Sequence, residues 1–199
     1  MSLSRNDWIQ AAGRLMAEKD VAAVKVEPLA KILKVSKGSF YWHFENRSAL
    51  LVAILEYWEK ETDWLIQESQ RVETPLKRLV RLFALIGETA SESGGQSIDM
   101  AIFRWANQAP DVLKRVHHVE AKRVQYIQKL LEEAGFPLEV AIQRGELMYL
   151  AFLGYTERSS RVPSYRSAEV FEQFGRLLID RLLHDKPLQD NHEDTLNEE

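Results

Sequence analysis

The stretch Val35–Leu51, VSKGSFYWHFENRSALL, places five ring-bearing side chains in the five consecutive positions from Phe40 to Phe44. A helix with one buried face spaces its large apolar residues three or four apart, so an unbroken run of rings does not fit a single inward face. Phe40 and Phe44 are four apart and are expected to point inward together. The rings between them are then predicted to face outward, where soluble proteins seldom place Tyr, Trp and His side by side without a partner surface.

The residues around this stretch predict two short helices joined by a tight turn. VEPLAKIL, residues 26–33, reads as the first helix, and KGSFYWHF, residues 37–44, as the second. Ala30 is small enough for the second helix to cross over it, and Val35 can plug the turn from beneath. This is the organisation of a helix-turn-helix, whose second helix enters the major groove of DNA.

Polar groups on the second helix are suited to contacts with DNA. Ser36 is the expected N-cap, accepting a hydrogen bond from an amide at position 38 or 39. Lys37 can reach a base edge or a phosphate, and Tyr41 and His43 can donate hydrogen bonds to phosphate oxygens. Arg47, at the start of the next helix, places a cation beside exposed backbone amides, an arrangement that favours a phosphate.

Two residues of this helix have competing interpretations. Gly38 destabilises a helix by roughly 1 kcal/mol relative to Ala, which makes sense if the backbone must approach a sugar-phosphate wall closely. Trp42 can belong either to the seam between the helices or to a surface that faces the groove, and the sequence leaves both open.

The remaining chain has helical periodicity throughout, and no segment reads convincingly as strand. A first amphipathic helix is expected over residues 5–20, and Asn46 is the expected N-cap of a long helix. Breaks at 93–97, 109–110, 135–137 and 161–167 carry Gly, Pro or Ser. The predicted helices after residue 46 cover 47–69, Pro75–Glu92, Ile98–Asn107, Asp111–Ala134, Leu138–Ser160 and Ala168–His184.

Residues 5–51 resemble the N-terminal DNA-binding domain of the TetR family of bacterial transcriptional regulators. The resemblance rests on LAKILKVSKGSFYWHFENRSALL, which follows the family pattern of an apolar-Ala pair, a turn, Ser/Thr-x-Gly-x-apolar-Tyr-x-His-Phe, a basic residue and a Leu pair. It implies that one set of residues reads bases or the groove wall, namely Lys37, Gly38, Ser39 and Trp42. It implies that a second set holds phosphates, namely Lys25, Tyr41, His43 and Arg47.

The sequence departs from the family pattern at two places. Lys34 occupies a turn position where the family often has Gly, and a non-Gly residue with positive φ there is uncommon. The Ser or Thr that often begins the first of the two short helices is absent from VKVEP. Neither change removes a group that contacts the groove, so DNA binding is expected to survive.

The resemblance also implies an all-α body with a ligand pocket and a homodimer interface built from the last two long helices. The domains expected are a DNA-binding domain at 1–50, an effector-binding and dimerisation domain at 51–184, and a disordered acidic tail at 185–199. Apolar stripes on the last two helices give the predicted dimer interface: Ala151, Gly154, Tyr155, Phe171, Phe174, Leu178 and Leu182. Aromatic and anchoring residues give the candidate pocket: Met100, Phe103, Arg104, Tyr126, Met148, Tyr149 and Phe152.

Composition excludes several other functions. The chain has no cysteine, so thiolate chemistry and disulfides are absent. Adjacent helical residues point about 100° apart, so His117 and His118 do not form a metal site, and no cofactor or catalytic residue is predicted. No apolar run approaches the about 20 residues that a membrane-spanning helix needs, so a cytoplasmic protein without a membrane partner is expected.

The charge distribution is compatible with a DNA partner. The net charge is −4, but residues 1–50 carry eight Lys or Arg against five Asp or Glu. A mildly basic N-terminal domain, residues 1–50, here called the head, suits DNA binding when the body, residues 51–184, is close to neutral. The expected function is a homodimeric regulator, a repressor, that binds a palindromic DNA operator and responds to an unknown small-molecule effector. An architectural DNA-binding protein without an effector, or an enzyme with a vestigial DNA-binding head, are the alternatives.

Overall fold

The computed structural model describes residues 3–92, 98–162, 165 and 167–184, apart from the side chains of 90–92, 168 and 182–184. Within these residues the regular elements are all helical, which confirms the predicted fold class. The acidic tail expected at 185–199 lies outside the described residues. The helices are α1 Arg5–Glu18, α2 Val26–Leu33, α3 Lys37–Tyr41, α4 Arg47–Ser69, α5 Pro75–Glu92, α6 Ile98–Ala106, α7 Pro110–Glu133, α8 Leu138–Arg161 and α9 Ala168–His184, with a 3-10 turn at Val21–Ala23.

Side-chain caps fix where the first and fourth helices begin. Ser4 and Asp7 form a reciprocal capping box at the start of α1. Asn46 accepts a hydrogen bond from the amide of Ala49 at 2.9 Å and starts α4 where the sequence predicts. The fourth helix ends at its predicted residue, whereas α3 ends at Tyr41, three residues before the predicted end.

The first apolar cluster is organised around α1 and the N-terminal half of α4. Trp8 is fully buried, and its ring meets Phe40 edge-on at 5.3 Å between centroids. The cluster continues along α4 through Ile54 and Trp58 and takes in Ile102 of α6. The predicted domain boundary between residues 50 and 51 therefore falls inside α4, and apolar packing runs across it.

The second apolar cluster joins α5, α7, α8 and α9. Helix α9 packs against α5, where Gly175 lies so close to Phe83 that a Cβ at that position would be 2.7 Å from the Phe83 Cβ. Phe171 follows the same line of contact, with its ring centroid 5.9 Å from that of Phe83. On the side facing α8, Phe174 stacks on Tyr155 at 4.7 Å.

This packing limits which of the predicted dimer-interface residues are accessible. Tyr155 and Phe171 are buried in the second cluster of one chain, and Phe174 and Leu178 pack against that cluster. Within one chain, α9 covers Tyr155 and α5 covers Phe171, whereas Phe174 and Leu178 are half-buried and stay predictions. Ala151 is half-buried and Gly154 is exposed, while the side chain of Leu182 lies outside the described residues.

The exposed apolar residues of α8 form a different stripe. Leu147 and Leu150 are each 53% exposed. Gly154, also exposed, lies on the same side because residues three, four and seven apart share a helix face. In addition, no helix among the described residues is long and apolar enough to cross a membrane.

Gly175→Ala tests the contact between α5 and α9. The added methyl group has no room beside Phe83, so the free energy of unfolding should fall by about 1–3 kcal/mol. Urea denaturation at a fixed protein concentration measures the change. Gly38→Ala is the control, because its new Cβ meets only the Ser36 Oγ at 3.6 Å; its stability should be unchanged or up to about 1 kcal/mol higher. Equal losses in both variants would contradict the account of close approach.

Candidate functional site

A strained turn joins α2 to α3. The amide of Val35 donates to the carbonyl of Ala30 at 3.0 Å and the amide of Lys34 to that of Lys31 at 3.2 Å, which is a Schellman ending. Lys34 has φ 57° and ψ 42°, the left-handed conformation that glycine adopts more easily. Its positive φ is the departure that the sequence indicated at this position. The chain holds this conformation because the two hydrogen bonds and Val35, packed against the first cluster, fix the turn.

The short helix α3 is anchored on one side only. Phe40 is fully buried and stacks on the nearly buried Phe44 at 5.4 Å, so both predicted anchors are in the core. Ser36 occupies the N-cap, but its side chain makes no capping hydrogen bond, and its carbonyl instead accepts from the amide of Ser39 at 3.1 Å. The predicted side-chain cap at Ser36 was therefore wrong.

The outer side of α3 and the turn after it expose large polar and aromatic groups. Trp42 is 88% exposed, which rules out a position in the core and resolves the ambiguity left by the sequence. Tyr41 is exposed beside it, its ring edge-on to Phe40. A Cβ built on Gly38 would meet no protein atom closer than 3.6 Å, so packing within the chain does not require glycine there.

Two of the basic residues already have partners in the free chain. Lys37 pairs with Glu27 of α2 at 2.6 Å in an exposed ion pair, and this contact lowers the pKa of Glu27. Arg47 donates from Nε to the carbonyl of Val24 and from Nη2 to that of Val21, each at 2.5 Å. Arg47 therefore ties the start of α4 to the 3-10 turn, a role that spacing along the chain did not reveal.

The other predicted DNA contacts lie around the same helix. Lys25 is exposed at the N-cap of α2. Ser39 and His43 are half-buried at the edges of α3. His43 also lies close enough to Asp7 of α1 for its charge to contribute to the lowered pKa of that carboxyl, after the larger effect of the hydrogen bonds from Ser4. The nine predicted residues thus lie on or next to the helix-turn-helix.

A cavity of about 130 Å³ lies in the body between the helices of the two apolar clusters. Tyr126, Tyr149 and Phe152, three of the seven predicted pocket residues, line it. The other four predicted residues do not line this cavity. Met148 is fully buried elsewhere, Met100 is buried, Phe103 packs edge-on against Trp58, and Arg104 is exposed.

A buried polar network forms part of the cavity wall. Arg123 of α7 pairs with Asp99 of α6 at 2.9 Å, and both side chains are only 16% exposed. The same guanidinium donates to the Thr62 Oγ1 of α4 at 2.9 Å and 3.2 Å. Trp58 donates from its indole to Asp99 at 2.7 Å, and its ring lies under Arg123 at 5.3 Å.

One further carboxyl group lines the cavity. Glu61 of α4 makes neither a hydrogen bond nor an ion pair with the described residues. Burial raises the pKa of Glu61, and the negative charge of Asp99 adds to the shift. Glu61 also lines a neighbouring cavity of about 250 Å³ against α1, so it stands between the two spaces.

Sequence reasoning missed Glu61, Thr62, Asp99 and Arg123. The available signal was on α4, where Ile54, Trp58 and Thr62 recur every fourth position on one face. Thr62 is the polar member of this otherwise apolar stripe, and a buried hydroxyl needs a hydrogen-bonding partner. This requirement indicated further polar groups facing α4.

The geometry is that of a helix-turn-helix on a helical body. Residues 9–54 match the family described as bacterial regulatory proteins, tetR family. The HTH-type transcriptional regulator TtgR of Pseudomonas putida is 31% identical over 67 residues, 34% of this chain and 32% of TtgR. The regulator YerO of Bacillus subtilis is 40% identical over 58 residues, 29% of this chain and 20% of YerO. The chain thus aligns with a third or less of these relatives' length.

Solved structures extend the likeness of the fold to the body. A transcriptional regulator from Rhodococcus sp. Rha1 has a TM-score of 0.73 at 18% identity, over 91% of this chain and 96% of that one. A regulatory protein TetR from Rhodobacter sphaeroides has a TM-score of 0.72 at 19% identity, over 90% and 98%. At such identity these matches establish the fold alone. The match to the tetR family thus covers the head, residues 9–54, and the solved structures show that the body shares their fold.

Asp99→Asn tests whether the buried ion pair supports the body. Removing the carboxylate leaves the charge of Arg123 without its counter-ion, so the free energy of unfolding should fall by about 3–5 kcal/mol. Glu59→Gln is the matched control, because it breaks the ion pair between Glu59 and Arg115, which are 2.6 Å apart and more exposed. The free energy of unfolding of this variant should fall by only about 0–1 kcal/mol. Urea denaturation of both variants measures the difference. A loss at Asp99 no larger than that at Glu59 would contradict the structural role of the network.

Proposed function

We propose that the protein is a homodimeric, ligand-responsive repressor that binds a palindromic operator in the cytoplasm through α3 and releases it when an effector occupies the body cavity. The observation that carries the proposal is the exposed side of α3, where Trp42 is 88% exposed beside the uncrowded Gly38. No catalytic step is part of this function. Two heads on one duplex would engage successive major grooves about 34–36 Å apart.

Gly38 supports a close approach by another molecule. The free chain has room for a methyl group at this position and would be more stable with Ala. A glycine that the fold does not require is explained if a sugar-phosphate wall comes within contact distance of the backbone. Trp42 and Tyr41 then provide the flat and hydrogen-bonding surfaces beside that backbone.

The partners of the basic residues suggest a division of roles at the DNA. Lys37 forms an exposed pair with Glu27, and exposed pairs contribute little to stability, so Lys37 can exchange that partner for a base edge or a phosphate. Arg47 uses Nε and Nη2 on backbone carbonyls, and its other N–H groups remain for a phosphate. Tyr41, His43 and Lys25 add positioning contacts, and Ser39 joins Lys37 in reading the groove.

The exposed stripe of α8 supports the homodimer. Leu147, Leu150 and Gly154 lie together on the outside of the helix that packs on α7, and Ala151 borders them. Leu177 of α9 is exposed as well. An isologous interface buries such a stripe against its own copy, and the exposed glycine lets the two backbones come close.

Helix α6 offers a physical route from the cavity to the head. Ile98 and Asp99 line the cavity, while α6 also packs against α1. A Cβ at Gly13 of α1 would lie 3.1 Å from Ile98 Cδ1, so the two helices are close at this point. A ligand that prefers one position of α6 would shift the population of head arrangements and release the operator. The cavity favours this version over an architectural protein without an effector.

Trp42→Ala tests the DNA interface. The side chain contributes little to the core, so stability should hold, while affinity for duplexes selected by the protein from a random pool should fall at least about tenfold, or 1.4 kcal/mol. Fluorescence anisotropy at fixed salt measures the affinity. Trp64→Ala is the control, because Trp64 is an exposed tryptophan near the far end of α4. The assignment of α3 fails if both variants bind the selected duplex like the parent protein.

Leu150→Asp tests the dimer. A carboxylate in the centre of an apolar interface is left buried without a partner, so the protein should become monomeric at micromolar concentration. Sedimentation equilibrium measures the mass. Leu138→Asp is the control, since it is also exposed on α8 but lies on the opposite side of the helix by its spacing from Leu147. If the Leu150 variant keeps the same mass as the Leu138 variant, the stripe is not the interface.

A further inference from the structure

The charge of the body cavity is not balanced. Three charged side chains line it among the described residues: Glu61, Asp99 and Arg123. Asp99 and Arg123 neutralise each other in an ion pair at 2.9 Å. When Glu61 is ionised, the cavity therefore carries one net negative charge in a largely apolar space.

Arg123 is a poor receptor for an anionic ligand. Its Nη1 is occupied by Asp99, and its Nε and Nη2 both donate to Thr62. An incoming carboxylate or phosphate would have to displace these partners and approach the two acidic side chains nearby. Burying an anion beside Glu61 and Asp99 is unfavourable on electrostatic grounds.

Glu61 has the opposite character. Its carboxylate makes no hydrogen bond or ion pair with the described residues, although burial and the charge of Asp99 both disfavour its ionised form. A half-buried carboxylate without a hydrogen bond destabilises the free protein, and the positive charge of Arg123 offsets only part of this penalty. A cation placed next to the carboxylate removes the remainder.

The rest of the lining suits an organic cation rather than a hydrated one. Tyr126, Tyr149, Phe152 and Tyr155 present aromatic rings to the cavity. Aromatic faces attract alkylammonium groups, and the chain already uses this interaction where Arg123 lies over Trp58 at 5.3 Å. A cavity of about 130 Å³ is close to the engineered apolar cavity of about 150 Å³ that binds benzene, so it matches a compact ligand.

We propose that the body cavity binds a small organic cation, an amine or quaternary ammonium that carries one compact apolar group, with Glu61 as its counter-ion. This rests on the proposed function, because it names the chemical class of the effector. The ammonium pairs with the Glu61 carboxylate, and the apolar group contacts the aromatic wall. Because Glu61 also lines the neighbouring cavity against α1, an ammonium group bound to Glu61 would lie next to the first helix of the head.

Three ligands that share one benzene ring separate charge from shape. 2-Phenylethylamine is cationic at neutral pH, 2-phenylethanol is its neutral analogue, and phenylacetate is the anionic counterpart. Isothermal titration calorimetry on the purified full chain, without DNA, should show that the amine binds at least about tenfold more tightly than the alcohol, a difference of 1.4 kcal/mol. Phenylacetate should be the weakest of the three.

Glu61→Gln supplies the decisive variant. It should reduce the affinity for the amine at least about tenfold, to the level of the alcohol, and leave the affinity for the alcohol unchanged. The same variant should also be more stable than the parent protein at neutral pH. Asp99→Asn is the contrasting carboxyl change in the same cavity, since it is expected to destabilise the fold.

The pH dependence of unfolding gives a readout that needs no ligand. The charged groups around Glu61 are Asp99 from α6 and Arg123 from α7, with Arg14 and Glu18 of α1 lining the adjoining cavity. Because the pKa of Glu61 is raised from its ordinary value of 4.5, the folded protein binds this proton more tightly than the unfolded chain. The contribution of Glu61 to the free energy of unfolding is therefore largest below 4.5 and is lost as the pH rises through its raised pKa. The gain from Glu61→Gln should be present at neutral pH and vanish below pH 4.5.

The outcomes separate this inference from the proposed function. Equal affinity for the amine and the alcohol, or an amine affinity that Glu61→Gln does not change, overturns the inference. If the alcohol or phenylacetate releases operator DNA and the amine does not bind, the inference is overturned while ligand-responsive repression stands. If the amine binds through Glu61 and operator affinity does not change, the inference stands and the regulatory part of the proposed function is lost.

Discussion

The buried ion pair between Arg123 and Asp99 is the interaction on which the arrangement of head and body depends. It joins α7 to α6, and the hydrogen bonds from Arg123 to Thr62 and from Trp58 to Asp99 add α4. Burying two charges is unfavourable unless the polar atoms find partners, and here every element that meets at the pair supplies one. Because α6 also packs on α1 and on the 3-10 turn, the same contact helps to position the head.

Helix α4 makes this connection stiff. Its first residue, Arg47, holds the carbonyls of Val21 and Val24, and Thr62 receives the guanidinium of Arg123 fifteen residues later. At 1.5 Å per residue, these two attachments are about 22 Å apart on one continuous helix. A displacement of α4 or α6 at the cavity should therefore also move the 3-10 turn that Arg47 holds, next to α3. The head and the cavity are thus connected through two attachments, at Arg47 and at Thr62, on one rigid helix, and the connection needs no flexible hinge within α4.

The sequence predicted the helices well, and it also predicted which side of α3 is exposed, because both depend on local information. Asn46 is read directly as a cap, and the spacing of Phe40 and Phe44 separates the inward side from the outward side within one turn of helix. The turn at Lys34 was also visible, since the pattern placed a non-glycine residue at a position of positive φ.

The body was predicted less well because the contacts of its side chains are made with helices that lie far away in the sequence. Phe171 and Tyr155 read as a partner-facing stripe because nothing in the sequence says that α5 and α9 of the same chain cover them. Arg123 and Asp99 are 24 residues apart on different helices, and no spacing rule joins them. Periodicity identifies which faces are apolar, whereas the choice between a neighbouring helix and a second chain is made by tertiary packing.

Residues that the free fold does not need are the strongest indication of what the protein contacts. Gly38 has room for a side chain, Trp42 is almost fully exposed, and Glu61 lines the cavity without a hydrogen bond or ion pair to any described residue. Each makes the isolated chain less stable or less soluble than an obvious substitute would, and the three lie at two separate places. Since most positions are selected for a stable fold, such local conflicts are expected at functional sites. Helix α4 joins those two places physically, because it runs from Thr62, next to Glu61, to Arg47, which follows Gly38 by nine residues and Trp42 by five. A ligand-controlled DNA-binding protein requires such a connection.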